Sequence, residues 1–223
     1  MVSKKNKYYN KLVKKPWGSE YLIYENKSIA AWFLNISHNK ATSLHCHPLK
    51  KTGFILLDGV VEMNIGFYQK KKLKGLDKIM IRPGLFHSTK ALSKKGVQII
   101  EIETPNNKED LIRFKDNYGR EKKPYENKKN MVELPKDCLK INKKTKNLKF
   151  KKFKFKIEKY KKILKNNLSN KKEIYAILEG GLGQNSKNLV LAPGDIVRTD
   201  TIKKLCASFK PAPFITVLSI SLC

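Results

Sequence analysis

One β-type pattern occurs twice in this chain, and that repetition constrains its fold more than any other feature. Thr52-Gly53-Phe54-Ile55-Leu56-Leu57-Asp58-Gly59 is echoed by Glu173-Ile174-Tyr175-Ala176-Ile177-Leu178-Glu179-Gly180. Further along, Ile81-Arg82-Pro83-Gly84 is echoed by Leu191-Ala192-Pro193-Gly194-Asp195. Each copy is a short apolar run closed by an acid–glycine turn, with a Pro-Gly turn downstream. Short apolar runs bounded by such turns make strands. Their recurrence predicts two copies of one β unit.

The front half repeats the same grammar. Strands are expected over 20–24, 29–36, 42–46, 53–57, 60–65, 78–81, 86–89 and 97–103, with a further turn at Lys95-Gly96. Many short strands with tight turns predict an all-β barrel or sandwich. A polar, lysine-rich stretch over 121–145 reads as a linker. The front unit then occupies 10–120 and the back unit 146–223. A short helix is expected over 159–167.

Three of the four histidines can be placed around one point. His45 and His47 are two residues apart, so on a strand both imidazoles face one side. His87 closes the segment that contains Pro83-Gly84. Three convergent imidazoles with open positions suit Zn, Fe, Mn or Ni. The plain alternative is three hydrogen-bonded, inert histidines. His38 sits in a turn and is expected at the surface. Cys46 alternates away from its neighbours and should pack as a small hydrophobe.

The formal charge is +29, from 48 Lys and Arg against 19 Asp and Glu. Arginine appears only at Arg82, Arg113, Arg120 and Arg198, and the rest is lysine. Readers of nucleic acid lean on arginine for bidentate contacts. A lysine-dominated surface instead reads as the codon bias of an AT-rich genome, so no nucleic-acid partner is expected. Attraction to small anions such as sugar phosphates follows from either origin. Phe150, Phe153 and Phe155 alternate with Lys151, Lys152, Lys154 and Lys156. That stripe reads as a strand with its rings in the core and its lysines in water. Cys46, Cys138, Cys206 and Cys223 show no paired spacing, which fits reduced thiols in a cytoplasmic protein. The N-terminus shows no signal peptide, and no run is long enough for a membrane span.

These motifs resemble the cupin superfamily. Its first motif is H-x-H, three or four residues, E, six residues, G. Here His45-x-His47 is followed by four residues, Thr52, six residues and Gly59. Pro83-Gly84-Leu85-Phe86-His87 is similar to the second motif. Within cupins the likeness is to the type II mannose-6-phosphate isomerase family. Lys15-Pro16-Trp17-Gly18 resembles its R/K-P-W-G opening, and Leu44-His45-Cys46-His47 its metal strand. Ile102-Glu103-Thr104-Pro105 and the segment from Glu109 to Arg120 resemble its ending. The resemblance spans about residues 15–120.

The resemblance implies two tandem cupin barrels, with His45, His47 and His87 as metal ligands and Zn as the first choice of ion. Thr52 stands where that family carries a metal-binding Glu, which leaves three histidines and water. The back unit has no histidine; its slots fall on Asn166 and Leu168, so it should hold no metal. Glu103 is the expected proton carrier, with Arg113 and Arg120 gripping an anionic group. Lys15, Trp17, Arg113 and Tyr118 form the expected substrate-binding set. Trp17 also reads as a core plug, and Asp116 and Tyr118 as supports of their segment. Ion pairs Arg113–Asp110 and Arg120–Asp116 are the structural alternative for the two arginines.

The resulting expectation is a metal-dependent isomerase- or epimerase-like enzyme acting on a sugar phosphate or nucleotide sugar, in polysaccharide synthesis. Two alternatives stand beside it: a non-catalytic carbohydrate-binding or regulatory cupin, and a three-histidine iron dioxygenase. The cupin resemblance also allows a homodimer.

Overall fold

The computed structural model describes residues 6–123, 125, 128–162, 168 and 173–223. The chain divides into two compact units, residues up to 25 with 30–140, and 26–29 with 141–223.

The front unit begins with β1 (Lys11–Lys15), β2 (Gly18–Glu25), β3 (Ala30–Ile36) and β4 (Leu44–Cys46). It continues through β5 (Lys51–Asp58), β6 (Val60–Ile65), β7 (Gln69–Lys74) and β8 (Lys78–Ile81). Then come β9 (His87–Ala91), β10 (Val97–Thr104), β11 (Ile112–Lys115) and β12 (Met131–Glu133). They form two antiparallel sheets, β12-β1-β2-β3-β10-β5-β8 and β11-β4-β9-β6-β7. One core contains residues of both: Trp32, Leu34, Phe54, Leu56 and Ile99 from the larger sheet, and Val61, Met63, Leu73 and Ala91 from the smaller.

Gly18 shows why a glycine opens β2. Its φ is +144°, and a Cβ there would lie 2.0 Å from the Asn35 carbonyl oxygen on β3. Only a residue without a side chain lets these two backbones approach so closely.

The stretch read as a linker is part of the front unit over much of its length. β12 pairs with β1, Lys11 opposite Glu133. Leu134 and Leu139 are buried. The amide of Leu139 donates to the Tyr21 hydroxyl at 3.3 Å, beside a stacked Tyr21–Phe33 pair. The lysine content misleads because Leu134 and Leu139 are buried while Lys122, Lys123, Lys129, Lys136 and Lys140 around them are exposed.

The back unit contains β13 (Leu148–Phe150), β14 (Phe153–Tyr160), β15 (Ile174–Gly183), β16 (Leu189–Leu191) and β17 (Ile196–Arg198). One helix, α1 (Thr199–Ser208), precedes β18 (Lys210–Leu222). A six-stranded sheet runs β13-β14-β18-β15-β16, with β17 beside β15. The fold is therefore all-β, in two β units. Along β14, Phe153, Phe155 and Ile157 are buried while Lys154 is exposed. The expected helix over 159–167 falls largely outside the described residues, and its first two residues end β14 instead. Asn166 also lies outside them, whereas Leu168 is buried in the core of its unit. The repeated motifs take corresponding places. Gly59 directly follows β5 and Gly180 lies within β15, both at positive φ, and Gly84 and Gly194 likewise carry positive φ in their turns.

No helix among the described residues is long and apolar enough to cross a membrane.

Candidate metal centre

β4 and β9 pair at a single register position, His45 opposite His87. His47 follows directly after β4. The ring centroids lie 4.5 Å apart for His45–His87, 5.0 Å for His45–His47 and 5.5 Å for His47–His87. One nitrogen from each ring falls within 4.8 Å of the others. The strand pairing inside the smaller sheet thus brings two of the three rings together, and the residue after β4 adds the third.

The backbone decides which nitrogen each ring presents. His45 Nδ1 is 2.8 Å from the Ser43 carbonyl, His47 Nδ1 2.6 Å from that of Asp110, and His87 Nδ1 3.0 Å from that of Leu85. A carbonyl oxygen only accepts, so each Nδ1 carries the proton and donates it. Each Nε2 is left with a bare lone pair. Those of His47 and His87 are buried with no hydrogen-bond partner. Backbone carbonyls that fix the outer nitrogen and free the inner one are the usual support of metal-bound histidine.

Electrostatics keep the rings neutral. Burial, then the neighbouring rings, holds His45 well below its ordinary value. Burial and the charge of Lys50 lower His47 to about 2. Burial lowers His87 to about 4, against the opposing Leu85 bond. Neutral imidazole is the form that binds a metal.

β10 delivers two carboxylates beside the rings. Glu101 and Glu103 share its inward face, and both are buried. Ligand atoms of His47, Glu101 and Glu103 also lie within 4.8 Å of one another. The environments of the two acids differ. Glu103 Oε1 accepts from Lys50 Nζ at 2.8 Å and from Lys108 Nζ at 3.3 Å. Burial alone would raise its pKa, but those two lysines overcome it and hold the acid ionised. Glu101 has no ion pair among the described residues, and burial raises its pKa to about 7. A chain of buried charges runs on from Glu103. Lys108 also meets Glu20 at 3.3 Å, and Glu20 meets Lys15 at 3.4 Å.

The expected substrate residues separate into groups. Arg113 sits opposite His45 in the β11–β4 register and lines the same pocket, while its Nη1 donates to the Lys123 carbonyl at 2.5 Å. Arg120 lines it too, but its guanidinium grips Asp116 through Nε at 3.0 Å and Nη2 at 2.7 Å. Trp17 is buried and belongs to both the core and the pocket wall. Lys15 lines the pocket with its ammonium 3.7 Å from the Tyr125 ring centre, tied to Glu20. Tyr118 is packed against the core, and its hydroxyl accepts from the Ala41 amide at 3.4 Å. It does not line the pocket. His38 is exposed and Cys46 is buried.

Asp110 has a different role from the expected pairing with Arg113. Its carboxylate accepts from the amides of Leu49 and Lys50, and its carbonyl orients His47. Glu101, Lys50 and Lys108 were missed from sequence. Glu101 had a usable signal, since it lies two residues from Glu103 and so faces the same way on a strand. Lys50 and Lys108 had none among so many other lysines.

No protein-family model matches the chain, and no curated protein matches it. Solved structures do match. One is an uncharacterized conserved protein with a double-stranded β-helix domain from Klebsiella pneumoniae subsp. pneumoniae. It is 17% identical, over 40% of this chain and 76% of that one, with a TM-score of 0.38. The Cnp3 cupin domain of Schizosaccharomyces pombe is 15% identical over 40% of this chain and 64% of its own, at 0.38. KdgF from Halomonas sp. is 15% identical over 42% of this chain and 83% of its own, at 0.40.

Proposed function

We propose that this chain is a metal-dependent enzyme acting on a small anionic sugar, a sugar phosphate or nucleotide sugar, through an isomerase- or epimerase-like proton transfer. The reading rests on one observation. Three neutral imidazoles have their Nδ1 atoms committed to backbone carbonyls, and one nitrogen of each ring lies within 4.8 Å of the others. Two of those inner nitrogens are buried without a partner, an arrangement a cation would satisfy.

His45, His47 and His87 would hold a divalent ion, which when bound supplies Lewis acidity toward a sugar carbonyl or hydroxyl oxygen. Arg113, facing the same side as His45, would take the anionic group through paired hydrogen bonds. Glu103 is clasped by two lysines, so the proton falls to Glu101, its neighbour on the same strand face. The proton would leave one sugar carbon for the Glu101 carboxylate and return from it to the adjacent carbon. Trp17 and the buried core behind it would keep bulk water from that step.

Elemental analysis of the purified protein, with a thermal-shift screen of sugar phosphates and nucleotide sugars, tests this reading. One equivalent of metal, and a stabilisation of several degrees by one ligand class, is expected. His45→Ala should abolish both. A second reading, a carbohydrate-binding module without chemistry, draws on the engagement of Glu103 by lysines and of Arg120 by Asp116. Metal-free protein whose sugar binding survives His45→Ala would decide for it.

A further inference from the structure

We propose that Glu103 is the fourth protein ligand of the ion, binding through Oε2; this rests on the three-histidine reading above. The first argument is register. Glu103 on β10 stands directly opposite Thr52 on β5. Thr52 is itself buried, and its hydroxyl has no hydrogen-bond partner. A neutral threonine hydroxyl is a poor ligand for a divalent ion, whereas a carboxylate is a good one. The strand pairing thus sets a strong acidic donor beside the position whose own side chain donates weakly.

The second argument is an orphaned atom. Lys50 and Lys108 occupy Oε1 alone. Oε2 is buried and has no partner. An ionised carboxylate oxygen left bare in the interior carries a large desolvation cost. Two lysines on its twin oxygen fix the direction of Oε2, as outer partners do for ligating carboxylates. The third argument is proximity. Ligand atoms of Glu103 and His47 lie within 4.8 Å, and His47 is shared with the histidine trio. His47 Nε2, His87 Nε2 and Glu103 Oε2 are all buried and unpartnered, and His47 is the ring that joins the histidine trio to Glu101 and Glu103.

The same geometry assigns the two acids separate roles. Glu103, held ionised and aimed by lysines, binds the ion. Glu101, with no ion pair among the described residues, is left to exchange protons.

The test uses the full chain, labelled with ¹³C-glutamate and loaded with Mn²⁺. Electron–nuclear double resonance reads whether a carboxylate carbon lies one bond beyond the ion's ligand atom. A ¹³C coupling is expected, retained in Glu101→Gln and lost in Glu103→Gln. Mn²⁺ affinity should fall at least 100-fold in Glu103→Gln, the upper end of the roughly 10–100-fold that losing a mere outer partner costs. Glu103→Gln leaves Lys50 and Lys108 without their carboxylate, so the double variant Thr52→Glu/Glu103→Gln is the control for loss of folding. It returns an acid to the facing strand and should recover affinity to within tenfold. Folded wild type that binds Mn²⁺ with no ¹³C coupling overturns the assignment to Glu103, and so does a coupling that vanishes in Glu101→Gln. If His45→Ala leaves Mn²⁺ affinity unchanged, the three-histidine reading fails. If His45→Ala abolishes binding while wild type shows no coupling, only the claim about Glu103 fails.

Discussion

Lys50 is the residue on which the charge arrangement depends. Its side chain is fully buried and its ammonium meets Glu103 at 2.8 Å. Such a pair is a weak source of net stability, because two charges had to leave water. Breaking it is another matter, because it strands a carboxylate in the interior. Lys50→Met should therefore destabilise the protein by about 3–5 kcal/mol, measured by urea unfolding. A loss under about 1 kcal/mol, the range of an exposed pair, would show that Lys108 alone suffices for Glu103. The histidine trio was legible from spacing, since strand geometry turns i and i+2 the same way. The lysine clasp was not. Burial of a lysine is decided by a carboxylate brought close only in the fold, and nothing in the local sequence marks it.

At the level of strands, apolar runs were readable and charged ones were not. β5 and β10 are expected from their Ile, Leu and Phe content, and both form close to the expected bounds. β7, with sequence QKKKLK, and β11, with IRFK, carry no such run. They lie at the two ends of the smaller sheet, where one side is free of neighbours. Charged edge strands discourage pairing with other chains, so the lysines that hide these strands from sequence reading suit their position. β2 is fixed from its first residue. Gly18→Ala would force a Cβ to 2.0 Å from the Asn35 carbonyl at a φ of +144°. A drop in melting temperature of more than about 5 °C is expected, given the roughly 1–3 kcal/mol of such backbone strain plus the clash. An unchanged melting temperature would mean that β2 and β3 can part there without loss.

Acid sensitivity belongs to the whole molecule. His47 and His87 titrate near 2 and 4 in the folded state, well below the unfolded value near 6.5. The folded protein therefore binds fewer protons than the unfolded chain across that window. Stability present above about pH 6.5 is lost as the pH falls toward 4. Glu101 opposes this. Its folded value near 7 lies above the ordinary carboxylate value, so its protonation favours the folded state over part of the same range. Glu101→Gln removes that offset. In chelator, this variant should lose melting temperature more steeply from pH 7 to 5 than wild type does. Equal slopes would mean that Glu101 takes up no extra proton in the folded state over that range.

β12 and the two leucines after it carry a practical consequence. A fragment stopped at residue 120 would take β12 from the edge of the larger sheet and the Leu139 amide from the buried Tyr21 hydroxyl. A fragment carried to residue 140 keeps both. The useful cut for dissecting this chain thus lies some twenty residues beyond the point that its lysine content suggests.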